Sequence, residues 1–130
     1  MENKLSKTDY FGIAAFVLIM LILIIISINS INNTNKLNNN HLYAIGKVYK
    51  IEYRGVKANI LFEFNVNDST YKTKFSTNIG FIRELDRDIE GNRFYVKFYP
   101  KRPKNCDILF GYPVPDLLKN QPKGGWKAIP

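Results

Sequence analysis

In 130 residues the chain holds one cysteine, Cys106, one histidine, His41, and one tryptophan, Trp126. Each shortage excludes something. A lone cysteine rules out an intramolecular disulfide, so any folded part is held by packing alone. A lone histidine rules out a His-based acid/base pair or a multi-His metal site built within one chain. Acidic residues are also scarce, 11 Asp and Glu against 19 Lys and Arg, which leaves a formal net charge of +8. That excess of cations points to anionic partners, with lipid headgroups nearest at hand for a tethered domain. No cysteine lies just after the N-terminal apolar run, which excludes a lipoprotein anchor at that position.

What is present begins with that run. Residues 10–28, YFGIAAFVLIMLILIIISI, carry no charge. As a helix they rise about 28 Å, close to the ~30 Å of hydrocarbon a membrane span must cross. Residues 1–9 form a polar flank with Lys4 and Lys7, whereas residues 29–41 offer Lys36 as the only basic residue. Two basic residues before the span and one after favour an N-terminus inside and the remainder outside the cytoplasmic membrane. A cleaved signal peptide is the competing reading. The run is longer than such a segment needs, and no small-residue cleavage pattern follows it, so an uncleaved signal anchor is expected.

Residues 29–41 are Asn-rich, without sustained helical or strand period, and read as a linker. The period then becomes two, over a domain expected at 42–112. Tyr43–Tyr53 sets Tyr43, Ile45, Tyr49, Ile51 and Tyr53 on one face, with Gly46 as a bulge or a point of close approach. Ala58–Val66 alternates cleanly, with Ala58, Ile60, Phe62, Phe64 and Val66 toward a core. Thr70–Phe75 follows the turn Asn67-Asp68-Ser69, which makes a three-stranded meander. Phe81–Ile89 shows helical spacing, as one or two turns covering a barrel mouth would. Arg93–Tyr99 and Cys106–Phe110 are the last strands, separated by the basic, proline-containing turn Pro100–Asn105. The fold class is therefore all-β: a small five-stranded antiparallel barrel or curled sheet of the OB or SH3-like kind, with one short helix and a preceding transmembrane helix. Residues 113–130 form a Pro/Gly-rich tail, expected to pack as extended chain or to stay loose.

Gly46-Lys47-Val48, then Phe64-Asn65-Val66 with Tyr71, an acidic-Gly turn, and Val96–Pro103 (VKFYPKRP) together resemble the small membrane-anchored proteins of the uncharacterised DUF3592 group. The ending Gly125-Trp126-Lys127 is similar to that of short Bacteroidetes membrane proteins. The resemblance implies a barrel-like β domain beside a span and carries over no catalytic residue, cofactor or metal ligand.

Candidate chemistry is sparse. His41, at the end of the linker, reads as an exposed bystander. Cys106 has no sequence-local basic helix terminus to activate it and no histidine after the strands, and reads as a small apolar residue. Asp86-Arg87-Asp88-Ile89-Glu90-Gly91 imitates the start of an EF-hand loop, but the twelfth position is Lys97 where a bidentate Glu is needed, so no calcium site is expected. Lys97, Lys101, Arg102 and Lys104 form the densest basic group. They are the candidate contact with an anionic surface, whether headgroups or an acidic envelope protein, with nucleic acid the least favoured partner. The expected role is a non-enzymatic binding or envelope-associated module. The alternatives are a toxin-immunity or accessory subunit that blocks a protein partner, and an enzyme if a pocket gathers Glu63 or Asp107 with tyrosines.

Overall fold

The computed structural model describes residues 6–85 and 88–130; the first half of the polar flank, and Asp86 and Arg87 of the EF-hand-like stretch, lie outside them. The chain forms two compact units, one ending at Asn35 and the other Lys36–Pro130.

The first unit is most of α1, Lys7–Asn39, a helix of 33 residues. Its start is capped reciprocally: the Ser6 N–H donates to Asp9 Oδ2 (2.8 Å) and the Asp9 N–H to Ser6 Oγ (3.3 Å), which satisfies orphan donors of the first turn. The apolar side chains of 10–28 are exposed along the whole run; Phe16, for example, is 65 % exposed. The helix is long and apolar enough to cross a membrane.

The linker expected at 29–41 is corrected: α1 continues through it to Asn39. An established helix gains one hydrogen bond per residue added, and no Pro or Gly interrupts Ile13–Asn39. Each Asn then costs at most about 0.7 kcal/mol relative to Ala, too little to stop propagation. The last turn belongs to the second unit, where Leu37 is buried.

The second unit is a five-stranded sheet in the order β3-β2-β1-β4-β5, formed by β1 (Leu42–Arg54), β2 (Lys57–Val66), β3 (Ser69–Asn78), β4 (Arg93–Tyr99) and β5 (Arg102–Pro113). All pairings are antiparallel. Asn67 and Asp68 both take positive φ, 49° and 65°, the backbone that a tight two-residue hairpin requires and that Asn and Asp tolerate. The sheet curls into a half-barrel, bringing Phe75 of β3 against Phe110 of β5 with ring centroids 5.5 Å apart. Phe81 from the short helix α2 (Ile79–Glu84) packs on both rings and closes that side. This helix begins two residues before the expected Phe81, where the Asn78 side chain caps it by accepting from the Phe81 N–H (2.8 Å), and it ends at Glu84, well short of Ile89. Ile89 is still buried in the core.

The core follows the expected alternation in β2 and β4 and departs from it in β1. There Ala44, Gly46 and Val48 face inward, and Tyr43 and Ile45 face the other way. A bulge between Val48 and Lys50 then shifts the register and returns Ile51 to the core side. Gly46 is the point of close approach rather than the bulge: a Cβ there would lie 2.4 Å from Val96 Cγ2.

The tail is packed, not loose. The β1–β2 ladder stops at Gly46↔Phe64 while β1 continues along β4 to Leu42, which leaves Tyr43 and Ile45 with an open edge. The tail fills it. Tyr43 and Trp126 exchange backbone hydrogen bonds of 2.8 Å, and the Asn67 N–H donates to the Lys123 carbonyl (2.6 Å). The Gln121 side chain accepts from the Ile45 N–H (2.7 Å) and donates to the Asn65 carbonyl (2.6 Å). Gly125 sits at φ 88° with its Cα hydrogens against Tyr43 O and the Phe98 ring, where a Cβ would meet the carbonyl at 2.5 Å.

Candidate anion-facing surface

The candidate basic residues lie on the β4–β5 hairpin, at the end of the sheet where the chain arrives from Lys36–Asn39. Phe98 pairs with both Leu42 and Cys106, and the next pair is Tyr99↔Arg102, so residues 103–105 form a bulge. The bulge exposes Arg102 and Lys104 while Pro103 and Asn105 stay half-buried. Lys101, Arg102 and Lys104 are thus gathered on one tip, and none makes an ion pair among the described residues.

Lys97 stands apart. It is half-buried on the outer face of β4, and its Nζ donates to Asn38 Oδ1 at 3.0 Å. It holds the last turn of α1 against the sheet. Lys36 and Lys127 are exposed at the same end of the second unit, Lys127 following the Trp126 that bridges to Tyr43. Of the carboxylates there, Asp68 faces Lys123 at 3.3 Å and Asp107 lies across the ladder from Lys97. Glu52, Glu84, Asp88 and Glu90 all belong to segments at or beyond Val48, toward the other end. Carboxylates thus concentrate toward that other end, where Lys50, Arg54, Lys57 and Arg83 also lie, and the near end keeps the excess of cations.

The aromatic partners for stacking are lacking at the tip. Phe98 is wholly buried in the core, its ring 5.8 Å from that of Phe64, and Tyr99 is half-buried. A base-stacking platform needs open ring faces.

The other candidates separate equally clearly. Cys106 points to the core side opposite Phe98. Burial, reinforced by the Asp107 carboxylate, pushes its thiol up to about 12, the reverse of what a nucleophile needs. His41 is half-buried rather than an exposed bystander, its ring nitrogens 3.1 Å from the Asn38 carbonyl oxygen and 3.1 Å from Tyr43 Oη. Glu63 and Asp107 lie on β2 and β5, with β1 and β4 between them, and Glu63 faces Lys72 (3.9 Å). They do not share a pocket. Asp88 turns its carboxylate to the Glu90 N–H (3.2 Å). Among the described residues no three His, Cys, Asp or Glu side chains converge as metal ligands.

Sequence reasoning missed Arg93, whose guanidinium donates to the carbonyls of Leu118 (2.7 Å) and Pro115 (3.0 Å) and fixes the start of the tail. It also missed Gln121. The Gly125-Trp126 pair was the only legible signal that the tail has a fixed place. No protein-family model, curated protein or solved structure matches the chain.

Proposed function

We propose that the chain is a single-pass protein of the cytoplasmic membrane, N-terminus inside and β unit outside, serving as a non-enzymatic binding module of the envelope. The observation that carries this reading is the uninterrupted exposure of apolar side chains from Tyr10 to Ile28 on a helix of spanning length. In water such a surface costs roughly 25 cal/mol per Å² of apolar area, which a bilayer removes. The curl that sets Phe75 against Phe110 supports the likeness to a small OB or SH3-type barrel. The turn and strand residues Gly46-Lys47-Val48 and Val96–Pro103 support the likeness to the DUF3592 group. A binding role suits a unit whose ionisable side chains are spread over its outer surface, and whose one cysteine is held as the thiol.

The test is a reporter active only outside the cytoplasm, fused after Pro130, with the size of the fusion followed on a gel. Activity at full length is expected. An inactive fusion would put the β unit in the cytoplasm, and a shortened active one would make residues 10–28 a cleaved signal.

A further inference from the structure

We propose that the tip formed by Lys101, Arg102 and Lys104 is a docking surface for the anionic phospholipid headgroups of the bilayer that holds α1. The inference rests on the membrane-anchored reading above and assigns a ligand to that unit's basic end.

Three observations carry it. The first is the unbalanced charge of the tip. Three exposed cations within four positions repel one another, and among the described residues no carboxylate pairs with any of them. A bulge that exposes Arg102 and Lys104 together holds this arrangement in place. An external anion is the missing partner.

The second is position. The tip lies at the sheet end through which the chain leaves for α1, with Lys36 and Lys127 exposed at the same end and most carboxylates toward the other. Between the apolar run and β1 lie residues 29–41, whose helical part, Asn29–Asn39, rises only about 16 Å. A tether so short holds the basic end at high effective concentration near the bilayer surface.

The third is the kind of group presented. The tip offers flexible ammonium groups and one guanidinium, with the neighbouring Phe98 ring buried in the core and Tyr99 half-buried. Phosphates spread over a plane suit that arrangement, whereas a nucleic-acid strand would require bases to stack.

The experiment uses the full chain reconstituted in vesicles that contain a headgroup spin-labelled lipid, with a fluorophore attached at Pro100→Cys. Vesicles are either phosphatidylcholine alone or phosphatidylcholine with phosphatidylglycerol. Headgroup quenching of the fluorophore should appear with phosphatidylglycerol, be weak without it, and fade at high salt. Neutralising the tip by Lys101→Gln, Arg102→Gln and Lys104→Gln together should lower the docked-to-free ratio on the order of a hundredfold, about fivefold per residue. The matched triple Lys50→Gln, Lys72→Gln and Lys74→Gln, elsewhere on the sheet, should leave it unchanged.

Equal quenching in both vesicle types, or equal loss in both triples, would overturn the assignment. So would a tip unquenched in either vesicle, which would leave it for an acidic protein. Failure of the chain to float with the vesicles after an alkaline wash would strike the anchor reading itself. Flotation without dependence on phosphatidylglycerol would sink the headgroup inference alone.

Discussion

The apolar residues of α1 and those of the β core are of the same kinds and meet opposite fates. Phe16 on the helix is 65 % exposed, whereas Phe98 on β4 is fully buried. The difference lies in periodicity. From Tyr10 to Ile28 there is no polar face to turn to water, so the whole circumference needs an apolar solvent. Along β2 every second residue is polar or half-exposed, so one face of the strand can be buried within the chain itself while the other meets water. Hydrophobic content does not distinguish the two regions; its arrangement does.

A substitution confined to one region should therefore leave the other intact. The largest effect is expected from Phe98→Ala. Its ring contacts Phe64 and lies beneath Gly125, and the cavity should cost about 3–5 kcal/mol in urea unfolding of the full chain in micelles. Fractionation with membranes should not change. A loss below about 1 kcal/mol would mean that the half-barrel collapses around the gap.

The converse is Leu21→Arg, at the middle of the apolar run. A cation at the centre of a span costs about 2.5–3.5 kcal/mol of insertion free energy. The membrane-bound fraction should fall sharply while the unfolding midpoint of the β unit stays put. A change in that midpoint would show that the two regions are coupled.

What was legible follows from the same contrast. Ala58–Val66 could be read directly because all its inward side chains are large or apolar and all its outward ones but Leu61 are polar. β1 could not, because its inward positions Ala44 and Gly46 are small while its outward positions Tyr43 and Ile45 are large. Size pointed to the wrong face, and the bulge after Val48 then changed the parity. The helical extension over Asn29–Asn39 was hidden because its residues are individually indifferent to helix; continuity with the run before them decides. The tail was hidden for another reason. Its place is fixed by backbone groups of Lys123 and Trp126 and by one amide side chain, Gln121, none of which leaves a period in the sequence. Of the basic group, Lys101, Arg102 and Lys104 stay together on the tip. Lys97 is drawn off to Asn38 because strand alternation turns it to the outer face beside the end of α1.

A pair of glycines gives a smaller and sharper version of the comparison. Gly12 lies on α1 with open space where a Cβ would stand, while a Cβ on Gly46 would run into Val96 Cγ2. The branched Val96 side chain has no free end to swing away. Gly46→Ala should therefore destabilise the β unit by about 1–3 kcal/mol, as overpacking does. Gly12→Ala should be neutral or stabilise the helix by up to about 1 kcal/mol. Thermal unfolding of the two variants side by side checks this, and equal midpoints would mean that β1 and β4 can separate to admit a methyl group.

The last effect concerns Cys106, at the edge of the core, and is nil at neutral pH, appearing only in alkali. Its thiol is raised from 9.0 to about 12, first by burial and then by Asp107. Above pH 9 the unfolded chain therefore ionises this group while the folded chain does not. The stability it contributes is complete below pH 9, declines between 9 and 12, and is lost beyond the folded value. Other groups titrate in the same window, so the readout is the difference between the native chain and Cys106→Ala. The native chain should lose stability faster between those limits. At pH 8 the same shift makes the folded thiolate roughly a thousandfold rarer than the unfolded one, so iodoacetamide should label the native chain slowly and the urea-unfolded chain fast. Rapid labelling of the native chain would mean that β5, an edge strand held on one side only by β4, opens to water without the rest of the sheet.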